Sequence, residues 1–134
     1  MSHYVGIKLK INDKTALIRA LERLGFQDKV EVHEIPANLY GYQGDMRPDK
    51  AHIILRRVHV GPSSNDIGFI RKNGCYEAII SEFDRHRYVD EWLGKLKAYY
   101  GVERAKIECQ KQGMRYVEEM TEDNRPRLRI PVNY

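Results

Sequence analysis

The sequence is short of cysteine and has no long apolar stretch, and each shortage excludes a class of protein. Cys75 and Cys109 are the two cysteines, and they lie far apart without the CxxC spacing of redox or zinc sites. We therefore expect no disulfide framework and predict that both thiols are reduced and packed in or near the core. No apolar run approaches the roughly 20 residues that a membrane helix needs, so no membrane partner is expected.

The sequence also lacks the motifs of the common enzyme classes. It contains no HExxH, no P-loop, no dinucleotide glycine pattern and no serine-hydrolase elbow. Asp45, Asp49 and His52 could converge on a metal ion, but turn chemistry explains such aspartates more simply. We therefore expect a protein that is not an enzyme and that needs neither a metal ion nor a cofactor.

What is present indicates a folded domain with a mild excess of positive charge. The chain has 134 residues, of which 42% are hydrophobic and 31% charged, and we predict a single domain over residues 1–134. The first residues lack the basic start and apolar segment of a signal peptide, so a cytoplasmic location is expected. With 23 Lys and Arg against 19 Asp and Glu, the net charge of +4 favours an anionic partner.

Hydrophobic periodicity in the first half predicts strands around one helix. Alternation over Val5–Ile11 predicts a strand, and leucines at helical spacing predict a helix that ends at Gly25. The second strand is predicted over Val30–Ile35, ending at Pro36. Further segments are predicted as an ordered loop over Asn38–Asp49 and a third strand over Ala51–Val60.

The second half predicts a hairpin, a long helix and two further strands. Asn73-Gly74 between apolar runs is a strong hairpin signal. The helix repeats apolar residues from Val89 to Cys109, with Trp92 as the expected core anchor and Gly101 as an expected kink. The resulting order β-α-β-β-β-β-α-β-β predicts an α+β fold. We expect an antiparallel-rich sheet of about six to seven strands with two main helices on one face.

The best candidate site surrounds a glycine-bearing aromatic loop, Tyr40–Gly44. Its glycines let backbone amides approach a ligand, its tyrosine and glutamine side chains could contact a base, and nearby arginines suit phosphate. The simpler interpretation is that such a loop packs over a sheet edge and that strand arginines are solvated. The predicted ligand-binding residues are Tyr42, Gln43, Arg47, Arg56, Arg57, Lys72 and Tyr76.

Three functions are compatible with these residues. The first is a binding domain for a small anionic, nucleotide-like ligand, which could sequester a signalling nucleotide if a phage encodes the protein. The second is an adaptor that docks on an acidic protein, and an edge strand could also pair two copies. The third is nucleic-acid binding through Arg125, Arg127 and Arg129, although Glu118 and Glu119 interrupt that basic stretch.

Ordered short motifs along the whole chain resemble one family. They include the start Met-Ser-His-Tyr, Ala20-Leu21 with Leu24-Gly25, Gly41-Tyr42-Gln43-Gly44, Asp66-Ile67-Gly68-Phe69, Asn73-Gly74 with Tyr76-Glu77, Tyr100, and Lys111-Gln112-Gly113. The chain thereby resembles the hypothetical chloroplast open reading frame 35 family, a domain of unknown function in cyanobacteria, plastids, bacteria and phages. The resemblance implies one domain in an intracellular protein. It also suggests an accessory role beside an AAA-type ATPase, but it supplies no established function.

Overall fold

A computed structural model describes residues 3–131 of the chain. They contain seven strands: β1 (Tyr4–Lys8), β2 (Val30–Tyr40), β3 (Met46–Leu55), β4 (Ile67–Lys72), β5 (Cys75–Ser81), β6 (Val117–Met120) and β7 (Pro126–Arg129). They also contain four helices, α1 (Lys14–Leu21), α2 (Arg57–Val60), α3 (Arg85–Tyr88) and α4 (Asp90–Gln112), and a π-helical turn over Glu22–Phe26 that extends α1. The predicted order of strands and main helices is confirmed, with the single-turn helices α2 and α3 added.

The strands form two antiparallel sheets. The larger has five strands in the order β1-β5-β4-β3-β2, and β6 and β7 form a separate two-stranded sheet. The β4–β5 hairpin turns at Asn73 and Gly74, whose φ angles of 53° and 83° match the left-handed turn that the sequence predicts. The predicted α+β class and the antiparallel character of the sheet are therefore confirmed.

The main core lies between one face of the large sheet and the helices α1 and α4. Alternation places Ile53, Leu55 and Phe69 on this face, all fully buried. Trp92 of α4 is only partly buried, and it packs edge-on against Phe26 and Tyr88 at the margin of this core. The predicted core anchor thus contributes at the rim, while smaller aliphatic side chains fill the centre.

The second face of the large sheet is covered by part of the β2–β3 hairpin. Leu39 and Ala51 from this hairpin pack with Ile54 and Ile79 in a second buried cluster. A Cβ atom at Gly68 of β4 would lie 2.6 Å from the Ala51 Cβ and 3.0 Å from the Leu39 Cδ2. The absent side chain of Gly68 is therefore what lets the hairpin lie this close to the sheet.

The structure of strand β2 and of the turn after it differs from the prediction. It runs past Pro36 to Tyr40, and the expected loop over Asn38–Asp49 is reduced to the turn between β2 and β3. Pro36 is tolerated because it lies on an edge strand, inside an irregular stretch between the Val32 and Ala37 pairings. A proline that would end a central strand does not end this one.

Three smaller predictions were wrong. The third strand ends at Leu55 rather than Val60, because the Asp66 carboxylate accepts the backbone N–H of Arg57 and starts the helical turn α2. Helix α4 runs through Gly101 without interruption, since one glycine costs a helix only about 1 kcal/mol. Cys75 is exposed, whereas Cys109 is buried as predicted.

None of the helices within the described residues is long and apolar enough to cross a membrane.

Candidate functional site

The predicted site residues fall into two groups at different ends of strand β4. Tyr42 and Gln43 lie near the start of β4, since the Tyr42 N–H donates to the Asn65 Oδ1 at 2.9 Å. Lys72 ends β4. A strand rises about 3.3 Å per residue, so Asp66 and Lys72 lie roughly 20 Å apart along β4. The structure therefore does not bring the seven predicted residues into one pocket.

Arg56 is already occupied by protein groups. Its Nε and Nη2 donate to the two oxygens of Glu31 at 2.6 and 2.8 Å, and its Nη1 donates to Asp66 at 2.8 Å. The same Nη1 also donates to the Asn38 carbonyl at 3.1 Å, and the guanidinium lies over the Tyr40 ring. Because these partners use its fork of donors, Arg56 is poorly placed to bind phosphate.

The other predicted arginines have different surroundings. Arg47 is 9% exposed and stacks over the Tyr4 ring, with 5.2 Å from its guanidinium carbon to the ring centroid. Arg57 is half-buried at the start of α2. Tyr42 is 46% exposed on the turn.

Asp66 organises this end of the sheet. It is 1% exposed, and besides Arg56 its carboxylate accepts the backbone N–H groups of Tyr40 and Arg57, both at 2.7 Å. The Asp66 N–H in turn donates to the Tyr40 carbonyl at 2.9 Å. The motif from Asp66 therefore has a structural role here, because it ties the glycine-bearing turn to β4.

A buried polar network continues from this point. The Asn65 Nδ2 donates to the Ser81 Oγ, which donates to the Asp84 Oδ2, both at 2.8 Å. All three residues are at most 1% exposed. Within residues 3–131, the Asp84 Oδ1 is buried without a hydrogen-bond partner. Burial first, with Asp66 and Asp84 adding to it, raises the pKa of Tyr4 beside this network well above its usual range.

A groove at the other end of the sheet collects lysines around an apolar floor. It has a volume of about 530 Å³ and lies beside the β4–β5 hairpin. We call it the lysine groove. Its lining side chains include three lysines, one carboxylate and several apolar groups: Lys8, Leu9, Lys10, Lys72, Cys75, Tyr76 and Glu77.

Two of the predicted site residues, Lys72 and Tyr76, lie in the lysine groove. Lys8 and Lys10 are exposed beside them and were missed by the sequence reasoning. They could have been found from the alternation of the first strand, which places lysines on its outer side. The sequence alone does not show which residues of β5 lie beside these lysines. That is set by the pairing of β1 with β5, which places Lys8 opposite Glu77.

A second depression of about 270 Å³ shares Tyr76 with the lysine groove. We call it the histidine groove. Its lining side chains come from α1 and from β2, β3, β4 and β5: Lys14, Val32, His33, Glu34, His52, Ile53, Arg71 and Tyr76. The Arg71 guanidinium carbon lies 5.6 Å from the centroid of the Tyr76 ring.

Other candidate centres have less support. The arginines of the last strand are neutralised in part, since Arg127 and Arg129 pair with Glu119 and Arg125 pairs with Asp123. Across residues 3–131, no group of three or more His, Cys, Asp or Glu side chains is arranged to hold a metal ion.

Comparison with known proteins gives a family and no function. No curated protein and no solved structure matches the chain. One family model, described as a protein of unknown function (DUF1257), matches residues 20–128, which is most of the chain. The expected membership of a family of unknown function is thereby confirmed. The matched span contains β2 to β6. It therefore includes the β4–β5 hairpin, which contributes to both grooves, and Asp66 with its hydrogen-bond partners. The chain belongs to the DUF1257 family of proteins of unknown function.

Proposed function

We propose that the protein binds a small anionic, nucleotide-like ligand in the lysine groove and does not catalyse a reaction on it. The observation that carries the proposal is the convergence of three lysines on one groove with an apolar floor. Ligand sites for small molecules usually combine a mainly apolar lining with a few placed polar groups. A nucleotide has the same combination, since its base is flat and its phosphates are anionic.

The charge balance of the groove favours an anion. Lys8 and Lys10 make no ion pair within the described residues, and Lys72 lies 3.5 Å from the Glu77 carboxylate. Three positive charges therefore face one negative charge. Ammonium groups without a carboxylate partner can bind an anion without first breaking a salt bridge, which lowers the cost of binding.

The floor of the groove is held by the main core and by backbone hydrogen bonds. Leu9 and Tyr76 are each 2% exposed and belong to the main core. The Leu9 N–H donates to the Tyr76 carbonyl at 3.0 Å, and the Tyr76 N–H donates to the Ile11 carbonyl at 2.9 Å. A floor fixed in this way needs little ordering when a ligand binds, so less binding free energy is lost.

The first test is mass spectrometry of small molecules released from the purified protein, followed by calorimetric titration with ATP as a defined probe. Each lost charge-assisted contact is expected to weaken binding about tenfold. We expect the double variant Lys8→Gln, Lys10→Gln to bind ATP at least tenfold more weakly than the parent. The control variant is Lys97→Gln, which removes an exposed lysine of α4 outside both grooves.

The proposal fails if the double variant and the control bind ATP with the affinity of the parent protein. Equal weakening in both variants would also contradict it, because binding would then follow net charge rather than the groove. Circular dichroism of each variant establishes that the fold is retained.

A second candidate is association through the edges of the large sheet. Strands β1 and β2 form its two edges among the described residues, and β2 carries Ile35 with 83% of its surface exposed. An exposed edge with apolar side chains can pair with a strand of another chain, including a second copy. Native mass spectrometry on the same preparation measures this directly: a dimer or a stoichiometric protein partner favours it, and a monomer rejects self-association.

A further inference from the structure

We infer that the histidine groove is a phosphate-binding subsite in which His52, Lys14 and Arg71 hold a phosphoryl group. The inference deepens the proposed function and rests on it in taking the ligand to be anionic. It adds a second binding position beside the lysine groove, with Tyr76 as the common wall. The chemical class of ligand that it implies is a phosphate monoester or a nucleotide with more than one phosphorylated position.

The hydrogen bonding of His52 fixes what its ring can offer. Its Nδ1 lies 3.0 Å from the backbone nitrogen of Arg71 and accepts that N–H. The neutral ring therefore carries its proton on Nε2, which leaves an N–H donor for a ligand. A neutral donor of this kind can bind a phosphate oxygen at pH 7 without first being protonated.

Two cations accompany this donor. Arg71 and Lys14 line the same groove as His52. Both side chains are exposed, and neither makes an ion pair with a carboxylate of the described residues. Arginine presents a planar fork of donors that matches phosphate, and lysine supplies a compact charge.

The remaining groups of the groove leave this position electropositive. From β2, His33 is engaged by the Glu31 carboxylate at 2.9 Å, and Glu34 contributes one exposed negative charge. From β5, Tyr76 contributes its ring, and Val32 and Ile53 are apolar. Burial, followed by the charges of Arg71 and Lys14, lowers the pKa of His52. An anion bound at this position would act in the opposite direction and raise that pKa.

The test is to titrate the full chain with inorganic phosphate at constant ionic strength. The NMR signals of the histidine rings are recorded at each phosphate concentration. Sodium chloride and acetate serve as comparison salts, and His52→Gln and His59→Gln variants assign the two rings. We expect phosphate to shift the His52 signals saturably and to raise the pKa of His52, while the signals of His59 on α2 stay unchanged. We expect Lys14→Gln to weaken phosphate binding about tenfold, while Lys97→Gln has no effect.

The inference is overturned if phosphate and chloride change the His52 signals equally, or if Lys14→Gln and Lys97→Gln behave alike. A response to acetate as strong as that to phosphate would also overturn it, since the site would then bind carboxylates. Failure here is separate from failure of the proposed function. ATP binding that needs Lys8 and Lys10 without a phosphate response at His52 rejects only the subsite, and the reverse result rejects only the lysine groove.

Discussion

Gly68 lies on β4 where the β2–β3 hairpin crosses the second face of the large sheet. Its missing side chain leaves room for Ala51 and Leu39, both fully buried. Any Cβ at this position would overlap the Ala51 Cβ, which belongs to a short side chain on a paired strand and cannot rotate away. The requirement for glycine here is therefore one of space.

Replacing Gly68 by alanine should destabilise the protein by about 1–3 kcal/mol, the usual cost of overpacking a core. Chemical denaturation monitored by circular dichroism measures this change in the free energy of unfolding. The matched control is Gly101→Ala in the middle of α4, where a new Cβ would meet nothing within 4 Å. That control should be neutral or stabilising by up to about 1 kcal/mol, because alanine favours helix more than glycine does. Equal effects of the two substitutions would contradict the packing argument.

Asp66 and Arg56 show why part of the candidate site could not be predicted from the sequence. The sequence identifies Arg56 as a cation near a glycine-bearing loop, which is a reasonable candidate for phosphate. Its partners are Glu31 of β2 and Asp66, which precedes β4, and no local sequence pattern predicts that the three side chains meet. The pairing of β2 with β3 brings Glu31 close to Arg56, so that Arg56 belongs to an internal ion-pair network.

At the scale of the elements, ion pairs link the two-stranded sheet to the helices. Glu118 of β6 pairs with Arg23, which follows α1, and lies 2.6 Å from the Lys106 Nζ of α4. Arg23 and Lys106 also pair with Glu103 at 2.8 and 3.3 Å. This network joins the C-terminal hairpin to both main helices. The pKa of Glu118 is lowered to about 2, and the hydrogen bonds from Arg23 are the largest cause.

Glu118 should therefore stabilise the protein in a pH-dependent way. Its pKa is lowered from 4.5 to about 2 in the folded state, so its contribution is complete above pH 4.5 and is lost as the pH falls towards 2. Since the pair is partly solvated, we expect Glu118→Gln to cost about 1 kcal/mol at pH 7 and progressively less below pH 4.5. Urea denaturation at several pH values measures this, with Glu122→Gln in the exposed turn as the control. A cost that stays constant from pH 7 to pH 2.5 would contradict the assignment.

The elements themselves were largely predictable, and the exceptions have a common cause. Helix α4 and the β4–β5 hairpin have strong local signals, and both were found. Pro36 predicts the end of β2, because a central strand cannot accommodate proline, but β2 lies at the edge of the sheet. Helix α2 forms where the Asp66 carboxylate, just before β4, accepts the backbone N–H of Arg57. Local propensity fails where the position of an element in the sheet decides the outcome.

At the scale of the molecule, two grooves on the large sheet each combine several positive side chains. The lysine and histidine grooves draw positive side chains from β1, α1 and β4, whereas the arginines of the last strand are paired with carboxylates. The net charge of +4 indicated an anionic partner. The grooves in which we propose that it binds are formed by the pairing of β1 with β5 and of β4 with β5, which composition does not contain.

The described residues should unfold as one cooperative unit, although they contain two sheets. Helix α4 packs against α1 and the main core, and it also contacts β7 of the small sheet. Unfolding of α4 would therefore expose the main core and the small sheet at the same time. Differential scanning calorimetry of the full chain should show one transition with an enthalpy of about 90 kcal/mol near 60 °C, and the van't Hoff enthalpy should equal the calorimetric one. An early second transition, enlarged in the Glu118→Gln variant, would instead show that the C-terminal hairpin unfolds separately.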